Sequence, residues 1–167
     1  MLSVDKITPD KIALFKSVRL RALQDAPWAF GSTYQHEVNF TDDDWRARIE
    51  RCNGVNGAGF MAMDGDVPCG IAACLIDQAS DSRGELVSIW TAPTHRHRGI
   101  GALLVTSAID WGRSRKLRVL RLMVTETNAS AIRLYERLGF AMTGRTEPYP
   151  NDPTVTELEM YMSLSSE

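Results

Sequence analysis

The stretch from Gly84 to Ala102 constrains this chain more than any other part of it. Leu86, Val87, Ile89 and Trp90 form an apolar, β-leaning run, and Pro93 cannot continue a central ladder because it has no N–H to donate. From Ile100 the spacing becomes helical: Ile100, Leu103, Leu104, Ala108 and Trp111 share one face. Arg96-His97-Arg98-Gly99-Ile100-Gly101 therefore opens a helix, where unpaired N–H groups and the positive end of the dipole favour an anion. Gly99 and Gly101 let backbone approach a ligand closely, and Arg96 and Arg98 add charge. This is the pattern of a phosphate cradle. A Gly-x-Gly alone also suits a solvated turn, and the strand–basic turn–helix context is what favours the cradle.

Two other phosphate motifs are excluded. No Gly-x-x-x-x-Gly-Lys-Ser/Thr run exists, and a dinucleotide fingerprint lacks its third glycine, because position 104 is Leu. A length of 167 residues suits one domain with a real core, spanning 1–167. With 44% hydrophobic and 24% charged residues, the composition is that of a soluble globular protein. A net charge of −2 gives no general attraction to nucleic acid or to an anionic membrane, so the basic turn is a local feature. Cys52, Cys69 and Cys74 lack Cys-x-x-Cys spacing, which argues against a disulfide frame or a zinc site. His95 and His97 suit phosphate contact better than metal, since no third ligand is in view. No leader-like or membrane-length apolar run is present, so a reducing, cytoplasmic setting is the expectation.

Along the chain, Leu2–Ile7 alternates as a strand, and Thr8-Pro9 opens a helix whose stripe is Ile12, Phe15, Val18 and Ala22. Trp28 to Phe40 has no clean period and is rich in aromatics. Thr41 caps a helix with Asp42, Asp43 and Asp44 in its first turn. A turn at 53–57 leads to strands at 59–63 and 68–76, joined by the hairpin signal Asp64-Gly65-Asp66-Val67. A polar turn at 78–83 precedes the central strand. Beyond the helix at 99–115, the pattern predicts a strand over 118–124 and a helix over 128–138 stopped by Gly139. Strands at 140–143 and 154–164 follow, separated by a Pro-rich loop at 147–153. The order gives a mixed, largely antiparallel α/β sheet with helices on both faces.

Two motifs together carry a resemblance to the GNAT acetyltransferase superfamily. One is Arg96-His97-Arg98-Gly99-Ile100-Gly101 after Ala92-Pro93; the other lies at 128–140, with Asn128, Ala131, Tyr135, Gly139 and Phe140 in family positions. His97 departs from the family's common Gly and Thr91 from its common Val, and neither removes a backbone donor. The resemblance implies a mostly antiparallel seven-stranded sheet whose parallel strands 84–91 and 118–124 splay apart to admit acetyl-CoA as cosubstrate. It implies transfer of the acetyl group to a primary amine by direct attack in a ternary complex. The pyrophosphate would rest on the backbone of His97, Arg98, Gly99, Ile100, Gly101 and Ala102, with Arg96 adding charge beside it, and the pantetheine arm on the strand edge of Ile89, Trp90 and Thr91. Asn128 and Ala131 would support the cofactor, Tyr135 would act as general acid and Glu85 as general base. Phe30 and Tyr34 would line the acceptor site. Taken alone, each aromatic also suits a core, Tyr135 a helix-face core residue and Glu85 a strand-end acid.

The acceptor, a small-molecule or protein amine, is left open. The acids Glu37, Asp42, Asp43 and Asp44 serve equally to attract a cation or to charge a helix end. The terminal strand 154–164 offers a free edge for a homodimer. A non-catalytic CoA-sensing or partner-binding domain of the same fold is the alternative function.

Overall fold

The computed structural model describes residues 1–52, 54–80 and 82–164. The predicted turns at 53–57 and 78–83 each include one residue, Asn53 and Asp81, outside the described set. The strands are β1 (Leu2–Lys6), β2 (Gly57–Asp64), β3 (Val67–Ile76), β4 (Arg83–Thr91), β5 (Val119–Thr125), β6 (Ala141–Tyr149) and β7 (Asp152–Ser163). The helices are α1 (Ile12–Asp25), α2 (Tyr34–Glu37), α3 (Asp42–Glu50), α4 (Ile100–Ser114) and α5 (Ala129–Leu138).

The strands form one seven-stranded sheet in the order β1-β2-β3-β4-β5-β7-β6. Every neighbouring pair is antiparallel except β4 and β5. That exception follows from the connection, since a parallel pair needs a crossover and α4 supplies it. Alternation along β3 shows why helices flank both faces. A Cβ at Gly70 would meet Ile100 and Leu104 of α4, while Ile71, Ala73 and Leu75 line a cavity with Phe15 of α1 and Ile49 of α3. Trp45, Leu23, Met61, Ile71, Ile100, Leu104, Leu120, Leu122 and Met160 are fully buried in that core.

Local chemistry sets the helix ends. Thr41 and Asp44 form a reciprocal capping box at α3, which accounts for one of the three acids in its first turn. Gly139 terminates α5 in the left-handed region, at φ 108°.

Two expectations are corrected. The strand at 140–143 extends as β6 to Tyr149, because pairing with β7 continues through Thr146–Leu158 and Glu147–Glu157 despite the prolines. The predicted loop shrinks to a tight turn. Consequently strand 154–164 has no free edge: β7 is paired with β5 on one side and β6 on the other, and the open edges belong to β1 and β6. Among the described residues, no helix is long and apolar enough to cross a membrane.

Candidate active site

The site begins where β4 and β5 part. They pair only from Arg83–Val119 to Leu86–Leu122, so the backbone of Val87 to Thr91 and of Met123 to Thr125 diverges beyond that point. The same part of β4 carries a bulge. Val87 faces Ala73 and Trp90 faces Ile71, leaving Ser88 and Ile89 opposite Ala72 alone. Ser88 takes φ 58° there, and Arg19 donates to its hydroxyl at 2.8 Å.

Arg19 is held by a carboxylate. Its Nε and Nη2 reach the two oxygens of Glu37 at 3.0 and 2.9 Å, and Arg48 approaches the same carboxylate at 3.4 Å. Burial pushes the Glu37 carboxyl up, but the hydrogen bonds and charge of Arg19, with Ser32 and Arg48, outweigh it and hold the group below its ordinary value. Glu37 is thus a buried structural anion, occupied by two arginines.

The splay opens into a cleft of about 880 Å³, within the range of small-molecule sites. Its walls include Phe30, Glu85, Ile89, Trp90, Thr91, Arg96, His97, Gly99, Ile100, Gly101, Ala102, Asn128, Ala131 and Tyr135. These predicted site residues therefore come together. Two do not. Arg98 is outside the lining and reaches the Asp64 carboxylate at 3.4 Å. Tyr34 is absent from the cleft wall and packs partly buried against the core from α2.

At the mouth of α4, Gly99 is the N-cap residue with φ 79°, and no side chain caps the helix. The first backbone bond runs from Leu103 N–H to the Gly99 carbonyl at 3.0 Å, so the N–H groups ahead of Leu103 have no partner of that kind within the helix. Nothing lies within 4 Å of a Cβ built on Gly99, whereas one on Gly101 would meet Leu134 of α5 at 3.0 Å. His97 also takes positive φ, 63°. Replacing it with Gly is expected to raise Tm by about 2–4 °C, because relief of left-handed strain exceeds the entropy of glycine by about 1 kcal/mol. A lower Tm in thermal unfolding would show an imidazole contact that outweighs the strain.

Arg96, Arg98 and the preceding His95 are each tied to an acid that the sequence did not mark as a partner. Arg96 donates to Asp25 at 2.6 Å and to the Thr91 carbonyl at 3.2 Å. Asp25 also accepts from the Trp90 indole at 2.9 Å. His95 and Arg98 both meet Asp64. Asp25 and Asp64 thus fix the turn against α1 and the β2–β3 hairpin, and these ion pairs leave the backbone N–H groups at the start of α4 uncapped by any side chain. Asn128 accepts from Ala131 N–H at 3.3 Å, which caps α5.

Tyr135 is 6% exposed and stacks edge-on against Phe140 at 5.9 Å. Burial pushes its phenol well above the ordinary range. No hydrogen bond reaches its hydroxyl among the described residues, although the side chain lines the cleft. Glu85 is partly exposed and faces Arg121, its register partner, at 3.4 Å. Behind the Phe30 segment, the Tyr149 hydroxyl lies 2.6 Å from the Phe30 carbonyl and 2.7 Å from that of Pro27. That contact holds the aromatic segment after α1 in place.

The profile of the acetyltransferase (GNAT) family matches residues 19–140. The chain belongs to this family. Within it, streptothricin acetyltransferase from Streptomyces lavendulae is 36% identical over 106 residues, covering 63% of this chain and 56% of that protein. The [ribosomal protein bS18]-alanine N-acetyltransferase of Salmonella typhimurium is 38% identical over 81 residues, covering 48% of this chain and 55% of the relative. The matches thus span little more than half the length of these relatives. In fold, the chain is similar to a GNAT-family acetyltransferase from Streptococcus pneumoniae, with TM-score 0.83, 21% identity and coverage of 99% and 100%. A putative acetyltransferase from Salmonella typhimurium, solved with its cofactor acetyl-CoA, gives TM-score 0.80 at 18% identity, covering 99% and 95%. Seen against the GNAT motif, His97 occupies a left-handed position, which is the physical reason a glycine is common there.

The sequence left several cleft groups unmarked: Ser88, Arg121, Glu147 and Glu157. A serine inside an apolar strand was the one available signal for the bulge. The others become neighbours only through strand pairing.

Proposed function

We propose that this chain transfers an acetyl group from acetyl-CoA to the nitrogen of a primary amine, by direct attack within a ternary complex. The observation that carries the reading is Tyr135, a buried ring lining the same cleft as the uncapped N-terminus of α4 and the open edge of β4, with no hydrogen-bond partner for its hydroxyl among the described residues. These residues fit the cosubstrate. Backbone N–H groups at 97–102 suit its diphosphate, and the unpaired edge of Ile89, Trp90 and Thr91 suits its peptide-like arm. Asn128 and Ala131 shape the α5 side. Once bound, acetyl-CoA supplies an activated acyl carbon and a thiol leaving group.

The chain's own groups then do the following. On the side of β4 away from β3, a strand N–H near Trp90 or Thr91 would stabilise a developing oxyanion. Tyr135 donates a hydrogen bond to the departing sulfur. Its raised phenol keeps the proton across the working pH range, so donation without full transfer is the favoured role. Phe30 lines the acceptor side, where Glu85 presents a carboxylate.

The relatives' names mention streptothricin and an alanine of ribosomal protein bS18, so small and protein amines are both acceptor classes to test. Incubation with acetyl-CoA and a panel of primary amines should release free thiol only when a suitable amine is present. Calorimetric binding of acetyl-CoA with no thiol release from any amine would instead mark a non-catalytic CoA sensor.

A further inference from the structure

Glu85 of β4, Glu147 of β6 and Glu157 of β7 converge on one wall of the cleft. Glu147 and Glu157 are direct cross-strand partners. Like charges placed opposite each other weaken a sheet, so this pairing costs stability unless a cation arrives between them.

The counter-ions are unevenly shared. Arg121 of β5 lies 3.4 Å from Glu85 and 3.2 Å from Glu159. Arg145 of β6 lies 3.9 Å from both Glu147 and Glu159. Among the described residues the Glu157 carboxylate has no ion pair or hydrogen bond. Its neighbours are Glu85, Glu147 and the buried Tyr149, with Thr125 its register partner on β5. Burial, and then the charges of Glu147 and Glu85, push the Glu157 carboxyl above its ordinary range. A second polar group on the same cleft also lacks a partner: the Tyr135 phenol, 6% exposed.

We propose that Glu157 is the general base that takes the proton from the acceptor ammonium, on an anionic wall completed by Glu147 and Glu85 that selects cationic amines. This rests on the acetyl-transfer reading. The step balances as follows. The ammonium gives one proton to the Glu157 carboxylate and becomes a neutral amine. The amine nitrogen forms a bond to the acyl carbon of acetyl-CoA as the C–S bond breaks, with the electron pair leaving on sulfur beside the Tyr135 hydroxyl. The second nitrogen proton neutralises that sulfur, and protonated Glu157 returns its proton to solvent. Glu85 is already engaged by Arg121, which leaves Glu157 as the free acceptor.

The test uses the full chain, the most active amine of the panel, and the variants Glu157→Gln, Glu157→Asp and Glu85→Gln. Glu157→Gln is expected to lower kcat/KM about 10²-fold near neutral pH and to remove the acidic limb of the profile. Glu157→Asp should restore part of the rate with the limb present, and Glu85→Gln should keep the limb. In the protein without acetyl-CoA, ¹³C NMR should show one carboxyl titrating above the usual range, absent from Glu157→Gln. A limb that survives Glu157→Gln, or a Glu157 carboxyl that titrates in the ordinary range, overturns the proposal. Wild-type protein that releases no thiol with any amine overturns the acetyl-transfer reading itself, and the carboxyl titration then reports separately on Glu157.

Discussion

Tyr135→Phe is expected to lower turnover by about 10²–10⁴-fold while acetyl-CoA affinity and thermal stability stay close to wild type. The asymmetry follows from the surroundings of the ring. Tyr135 is 6% exposed and packs edge-on against Phe140, and phenylalanine fills the same volume. Its hydroxyl makes no hydrogen bond among the described residues, so the variant breaks no internal contact. The loss therefore reads the hydroxyl's role toward the leaving sulfur. Steady-state kinetics with a thiol readout, together with calorimetry for acetyl-CoA, check it. Unchanged turnover would remove Tyr135 from the mechanism.

Glu37→Ala is expected to destabilise the protein by about 3–5 kcal/mol, since it strands Arg19 as a buried, unpaired cation. For a chain of this size that corresponds to a fall in Tm of about 6–20 °C. Because the same Arg19 also donates to Ser88 at the β4 bulge, the loss extends to the splay that forms the site. The pH dependence has a definite sign. The folded carboxyl of Glu37 is held below its ordinary value. Its contribution is therefore fully present above the unfolded pKa of about 4.3 and is lost as pH falls through the lower folded value. Urea unfolding from neutral to acidic pH should show a shallower acid-side decline in Glu37→Gln than in wild type. Identical acid limbs, or a Tm within 2 °C of wild type for Glu37→Ala, would refute the role.

Legibility varied along the chain with the range of the contacts. The basic turn, Gly99, the start of α4 and the Asn128–Gly139 helix are written in residues a few positions apart, so period and capping chemistry expose them. Arg96 and Asp25 lie 71 positions apart, and no local pattern shows that the arginine's charge is already answered. Glu37 looked like one of several acids able to attract a cation, and it is instead sealed between Arg19 and Arg48. Tyr34, in the same aperiodic stretch as Phe30, faces away from the cleft. The reason is that the short α2 turns its side chain to the core, while contacts with Tyr149 hold the Phe30 backbone at the cleft.

By itself the sequence determined most of the elements and the glycine-opened, uncapped mouth of α4, because each depends on backbone geometry and on neighbours within a helical turn. Only the tertiary structure decided which acids are spent and which are free. Asp25, Asp64, Glu37 and Glu85 find cations on distant elements, and Glu157 faces other carboxylates. Charge in a folded chain is settled by which strands and helices pack side by side, and that is a property of the whole sheet.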